Sequence, residues 1–236
     1  MEASEIILIA AAFAAGSFVF GASGFGFGLV TVPLLGIVLP LKQAIALQLP
    51  YAYLVALAAA WHYRAHLAWR AMWPLLIGSL IVLPAGVAAL HYLPERPMKY
   101  LLAAFIVAAI ALSGRSIFTT HNPYAYGAIS GFFQGAFTTG GPPAMLYLLA
   151  ACNDPRGVKG TNGLYFIFLY GATTALYAVN GVISRENILQ AIWFAPAVVI
   201  GGLAGYWAGI RLNFRQYRYL VYALLIATAA LLAIRA

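Results

Sequence analysis

The chain has 236 residues, 64% of them hydrophobic and 8% charged, with a mean hydropathy of +0.90. A single soluble core of this length cannot bury so much apolar surface, so a soluble domain is excluded and an integral membrane protein is expected. The formal charge of +8 comes from basic residues scattered singly over connecting loops, which argues against nucleic-acid binding and marks them as topology determinants.

From the N-terminus, Met1 to Glu5 is acidic and leads straight into an apolar stretch, a pattern unlike a cleaved signal peptide. The apolar runs are long and do not alternate with polar residues, which favours helices over a β-barrel. Charges and prolines cut the chain into ten apolar pieces, five per half: 6–22, 25–40, 44–61, 71–93 and 98–114, then 124–138, 140–152, 160–183, 188–210 and 217–234. The first two pieces of each half are short, reaching about 20 to 25 Å where the hydrocarbon layer is about 30 Å thick. They form either two half-helices in a hairpin or two tilted helices joined by a bend.

Between the short pieces lies an element that occurs twice. Gly21-Ala22-Ser23-Gly24-Phe25-Gly26-Phe27-Gly28 aligns without a gap, 114 residues later, with Gly135-Ala136-Phe137-Thr138-Thr139-Gly140-Gly141-Pro142. Further on, Gln48 and Tyr51 fall opposite Asn162 and Tyr165 at the same offset, and Leu76-Ile77-Gly78-Ser79-Leu80 resembles Val199-Ile200-Gly201-Gly202-Leu203. An odd number of segments per half puts the second half in from the opposite side. The predicted fold is therefore an all-α integral membrane protein of two inverted repeats, residues 1–115 and 116–236. Each has about five helical segments, the first two short, broken or re-entrant.

Sorting charges by side under this topology gives +1 for Lys42, Arg96, Lys99, Arg185 and Arg235 with Glu2, Glu5, Glu95 and Glu186. It gives +7 for Arg64, Arg70, Arg115, Arg156, Lys159, Arg211, Arg215 and Arg218 with Asp154. The second side is expected to be cytoplasmic, with both termini outside a cell inner membrane.

Chemistry at mid-membrane depth is neutral. The charged residues fall at span ends and loops, and so do His62, His66, His91 and His121, where interfacial packing is the expectation. This disfavours an ion-relay pump, which accepts the desolvation cost of a buried carboxylate or histidine. The tryptophans lie mostly near span ends, as interface belts require. The lone cysteine, Cys152, is read as packing, and no metal or cofactor is expected.

A broken helix leaves backbone polar groups that lipid cannot satisfy. The glycines let the chain turn and approach a ligand, and Pro142 and Pro143 suit a helix start. The second break is the sharper signal, with Thr138 to Gly141 expected to present backbone N–H groups to an anion. The predicted substrate-binding set is Ser23, Gly24, Gly26, Gly28, Gln48, Gln134, Thr138, Thr139, Gly140, Gly141, Asn162 and Tyr165. Close helix packing through small residues is the better reading of any single glycine, whereas the two clusters at equivalent positions favour a site. Lys42, Arg156 and Lys159 either draw an anion toward the pathway or snorkel to the interface.

These residues carry a family likeness. Gly24-Phe25-Gly26-Phe27-Gly28 with Pro33, and Thr138-Thr139-Gly140-Gly141-Pro142, resemble the two Gly-rich signatures of the sulfite exporter TauE/SafE family. The likeness extends through Ala44-Ile45-Ala46 and Gly160-Thr161-Asn162. Phe27 stands where that signature has a central glycine, and Thr138 and Thr139 stand where it often has glycine and an apolar residue. The resemblance implies a transporter, usually an exporter, of small sulfur-containing anions such as sulfite, sulfoacetate or other organosulfonates. The expected partners are a small anionic substrate and the lipid bilayer, and small residues on the spans are compatible with a homodimer. A competing reading is enzymatic: Gly21-Ala22-Ser23-Gly24 resembles the nucleophile motif of rhomboid-type intramembrane serine proteases, which would need a histidine partner for Ser23.

Overall fold

The computed structural model describes residues 3–112, 122–152 and 154–211, and these are helical without a strand. The helices are α1 (Ala3–Ser23), α2 (Phe27–Leu35), α3 (Leu41–His62), α4 (Trp69–Tyr92), α5 (Glu95–Leu112), α6 (Pro123–Phe137), α7 (Gly141–Ala151), α8 (Pro155–Val179), α9 (Arg185–Ile192) and α10 (Ala195–Arg211). A 3-10 turn, Arg64–His66, joins α3 to α4. Three of these helices, over Ser4–Ser23, Leu41–His62 and Trp69–Tyr92, are long and apolar enough to cross a membrane, and α9 with α10 makes a fourth if the bent pair is one span. The predicted piece 217–234, with Arg115, Arg215, Arg218, Arg235 and His121, lies outside the described residues.

Both predicted breaks are real interruptions. Gly24 and Gly26 separate α1 from α2 at φ values of 80° and 87°, and Thr138 separates α6 from α7 at φ 55°. The expectation that the first two pieces of each half are short holds for α2, α6 and α7, with 9, 15 and 11 residues. It fails for α1, which has 21 residues, about 31 Å at 1.5 Å per residue. The helix takes in the polar Ser4 and Glu5 below the apolar run, where an acidic first turn complements the helix dipole. α8 likewise begins five residues before the predicted 160, because Asp154 caps it by accepting from the Arg156 N–H and Pro155 starts it. The expected single piece 188–210 is bent by 58° between α9 and α10. Pro196 in the first turn of α10 has no N–H to give the carbonyl four residues back, Ile192 at the end of α9, and its ring crowds that carbonyl, so one straight helix cannot run through.

Glycine spacing sets helix packing. Gly127, Gly131 and Gly135 of α6 lie against Leu75, Ser79 and Leu83 of α4, so these helices run parallel in close contact. Gly201, Gly205 and Gly209 of α10 lie in the same way against Ala14, Phe18 and Ala22 of α1. Membrane helices use such four-residue spacing to bring backbones together. α3 and α8 are antiparallel, with Gly160 against Tyr63 and Gly163 against Ala60. The aromatic core centres on Phe13, which stacks on Phe27 and Phe194 and meets Tyr51 edge-on.

Candidate functional site

Packing α3 against α8 brings the two breaks together. Gly28, in the first turn of α2, faces the Thr138 carbonyl so closely that a Cβ there would sit 2.4 Å from the oxygen. Gln48 of α3 donates through Nε2 to Thr138 Oγ1, and Asn162 of α8 donates through Nδ2 to the Gly24 carbonyl at 3.3 Å. Each carboxamide thus reaches the break that belongs to the other half of the chain.

Between the breaks lies a cavity of ≈ 20 Å³, large enough for about one or two waters. Gly26, Phe27, Gly28 and Leu29 from the start of α2, Thr138, Thr139 and Gly141 from the second break, and Asn162 form its polar wall. Phe20, Phe25, Phe166 and Tyr170 close it with aromatic surface. The first-turn N–H groups of Phe27, Gly28 and Leu29 have no acceptor within their own helix, so the site is lined with donors. The second break was the sharper expectation for such donors, and of its four N–H groups the first three are already bonded within the protein while that of Gly141 is not. Thr138 N–H and Thr139 N–H turn back to the carbonyls of Gln134 and Phe133, and Gly140 N–H goes to Gln134 Oε1 at 3.4 Å. Pro142 and Pro143 carry no N–H at all.

Among the described residues, six buried side-chain atoms have no hydrogen-bond partner in the protein: Ser17 Oγ, Thr31 Oγ1, Gln48 Oε1, Gln134 Nε2, Thr139 Oγ1 and Asn162 Oδ1. Four belong to the predicted set, and Thr139 and Asn162 line the cavity, 2% and 1% exposed. Leaving such groups unpaired costs about 1 to 3 kcal/mol each, which argues for a polar occupant.

Other predicted residues support the site without lining it. The Tyr165 hydroxyl sits between Ser79 Oγ at 2.6 Å and Ser130 Oγ at 2.7 Å, and Ser130 Oγ donates to the Gly140 carbonyl. This chain pins the second break to α4 and α8. Ser23 Oγ is shared between the carbonyls of Val19 and Phe25, both at 2.8 Å, and accepts from the Phe25 N–H, so it shapes the first turn after α1. No histidine is among its partners, and the protease reading gains no support.

A second cavity of ≈ 340 Å³ opens at one end of the helices, lined by Gly21, Ala22, His62, Tyr63, His66, Arg156, Lys159, Tyr206 and Gly209. Arg156 and Lys159 both line it. The Lys159 stem lies against Gly24 and its Nζ is 3.5 Å from the Ala22 carbonyl. Burial and the neighbouring Tyr206 push the Tyr63 phenol above its ordinary pKa against the opposing pull of Arg156, leaving a neutral donor on the wall. Lys42 is elsewhere, at the opposite end of α3, where its Nζ donates to the His91 carbonyl at 3.2 Å. Sequence reasoning assigned His62 and His66 to interfacial packing and missed this vestibule, because its lining residues come from α1, α3, α8 and α10 and meet only in the fold.

Membrane-length helices packed around two broken helices, with a small polar cavity at the breaks, are the architecture of a membrane transporter. The chain belongs to the family described as sulfite exporter TauE/SafE, whose profile matches residues 8–232, and the protein is a transporter rather than an enzyme. No curated protein and no solved structure matches it.

Proposed function

We propose that the protein exports small sulfur-containing anions, sulfite or organosulfonates, by alternating access between two inverted halves, residues 1–115 and 116–236, with substrate held where the two Gly-rich breaks meet. The observation that carries this reading is the cavity itself. Helix-start donors of α2 face the unpartnered Thr139 hydroxyl and the Asn162 carboxamide across a space between the halves.

The inverted arrangement is supported by how contacts exchange. α4 of the first half packs on α6 of the second, and α10 of the second packs on α1 of the first, each pair parallel. Gln48 bonds Thr138 while Asn162 bonds Gly24, and both partners in each comparison are 114 residues apart. Tyr51 donates to the Ala191 carbonyl of α9, as its counterpart Tyr165 bonds Ser79 of α4. In packing register Gly205 meets Phe18 as Gly86 meets Phe132, which slips the Gly78/Gly201 sequence pairing by one helical turn.

Size supports alternating access. The vestibule takes a small organosulfonate, but the inner cavity takes only water until the halves part. With the basic vestibule cytoplasmic in the inner membrane and the termini outside, an interior-negative potential of 100 mV favours exit of a monoanion by about 2.3 kcal/mol. That sustains roughly a 50-fold gradient with no coupling ion. A homodimer through small residues draws less support, since the glycine ladders of α6 and α10 are occupied within the chain.

The test is flux of labelled sulfite and of an organosulfonate across liposomes, with the potential clamped by potassium and valinomycin, comparing wild type with Thr139→Val. Thr139 Oγ1 has no protein partner, so its removal is expected to leave melting unchanged or raise it by about 1 kcal/mol of stability while flux falls. Thr138→Val is a poorer probe, because it removes a hydroxyl that accepts from Gln48 and donates to the Phe137 carbonyl, so a loss of flux would mix with a loss of structure. Absence of flux for either anion would refute the substrate class.

A further inference from the structure

The two carboxamides have fixed orientations. The Gly24 carbonyl can only accept, so Asn162 must present Nδ2 to it. Thr138 Oγ1 donates its proton to the Phe137 carbonyl at 2.6 Å, so it too can only accept, and Gln48 must present Nε2. Turning either amide round would set two acceptors face to face. Both amide oxygens are therefore left as acceptors without partners, and both residues are at most 1% exposed.

Asn162 lines the inner cavity together with the residues that begin α2. The cavity wall is thus mixed: N–H donors and the Thr139 hydroxyl on one part, an uncompensated carbonyl oxygen on another. A fully ionised oxyanion offers only acceptors, and would satisfy the donors while meeting Asn162 Oδ1 lone pair to lone pair. An anion that keeps one O–H satisfies both parts.

We infer that the site is built for an anion retaining one donatable proton, with Asn162 Oδ1 as its acceptor: hydrogensulfite rather than the sulfite dianion, and hydroxyl-bearing organosulfonates ahead of plain alkyl ones. This rests on the sulfur-anion reading above and adds a specificity-determining residue to it. The proton stays on the substrate throughout, so no protein group titrates in the step. Titratable groups near Asn162 are Tyr170 in the cavity wall, Tyr165 and Lys159 on its own helix, and Tyr63, His62 and His66 from α3 and the turn after it.

The experiment uses the full chain in liposomes at clamped potential, with protein-free liposomes subtracted for passive leak. Labelled sulfite is supplied below saturation from about pH 6 to about pH 8.5, beside 2-hydroxyethanesulfonate and ethanesulfonate, which remain monoanions throughout. Sulfite flux is expected to follow the monoanion fraction, falling about tenfold per pH unit once the dianion dominates. Both sulfonates hold constant across the range, which reads out any titration of the protein. The hydroxyl-bearing sulfonate is carried faster than ethanesulfonate by on the order of tenfold, because the latter leaves a buried acceptor unpaired. Asn162→Leu removes that preference.

Sulfite flux that is level or rises with pH, equal rates for the two sulfonates, or stimulation of all three fluxes by sodium would overturn the inference and leave the carrier reading standing. Absence of flux for every anion would overturn both. If Asn162→Leu does not fold, the two wild-type comparisons still decide.

Discussion

Replacing Gly28 by alanine puts a methyl carbon 2.4 Å from the Thr138 carbonyl oxygen. A carbon and a carbonyl oxygen in contact come no closer than about 3.3 Å, so the two breaks must separate by about 0.9 Å. The oxygen shares a peptide plane with the Thr139 N–H, which is bonded to the Phe133 carbonyl at 3.3 Å, so it does not swing away freely. Overpacking of this kind costs about 1 to 3 kcal/mol of stability. Its larger effect falls on the site, because the same shift pulls Gln48 from Thr138 and moves the α2 donors relative to Thr139 and Asn162. Losing one charge-assisted hydrogen bond lowers affinity for an anion by about 10- to 100-fold. The assay is anion flux in liposomes at matched protein content, with melting of the purified protein as the folding control. Gly171→Ala is the companion variant: nothing lies within 4 Å of a Cβ there, and alanine in mid-helix is favoured by about 1 kcal/mol. Gly28→Ala with wild-type flux, or a matching loss of flux in Gly171→Ala, would refute the idea that the junction of the breaks is the transport site.

Tyr165→Phe removes the hydroxyl shared by Ser79 and Ser130, and is expected to lower stability by about 1 to 3 kcal/mol, read as a drop in melting temperature. Residual folded protein should retain its substrate preference, since Tyr165 does not line the cavity. Arg156→Gln with Lys159→Gln removes two positive charges from the vestibule, so apparent KM from that side should rise at low ionic strength and approach wild type at high salt, with maximal flux little changed. Maximal flux lost at every salt concentration would instead place Lys159 in the translocation step itself.

The positions of the two breaks that frame the candidate site were legible because breaking a membrane helix needs local chemistry. Glycine at positive φ and prolines at a helix start are visible in one strand of sequence, and Gly24, Gly26 and Pro142 mark the breaks where the structure has them. The glycine ladders of α6 and α10, by contrast, serve packing between helices in the fold. The chemistry at the second break was harder to read. Thr138 to Gly141 look like an anion nest in sequence, yet the N–H groups of Thr138, Thr139 and Gly140 are spent on α6, because the left-handed turn at Thr138 folds the chain back on the helix it leaves, and Gly141 alone of the four keeps an N–H without a bond to the protein. Ser23 looked like a ligand or nucleophile, and its short side chain instead closes the turn beside it.

Composition determined that this protein lives in a membrane, and its long apolar runs without polar alternation determined that it is built from helices and not from a closed barrel. The duplicated Gly-rich elements, and the sulfur-anion family they signal, were also set in the linear order of residues. Tertiary structure alone decided which donors remain free, which oxygen is left without a partner, and which basic residues share a vestibule. Gln48 finds Thr138 across 90 positions and Asn162 finds Gly24 across 138. Hydrogen bonds of that reach depend on how α3 crosses α8, and that crossing is settled by the packing of surfaces, which no local pattern encodes.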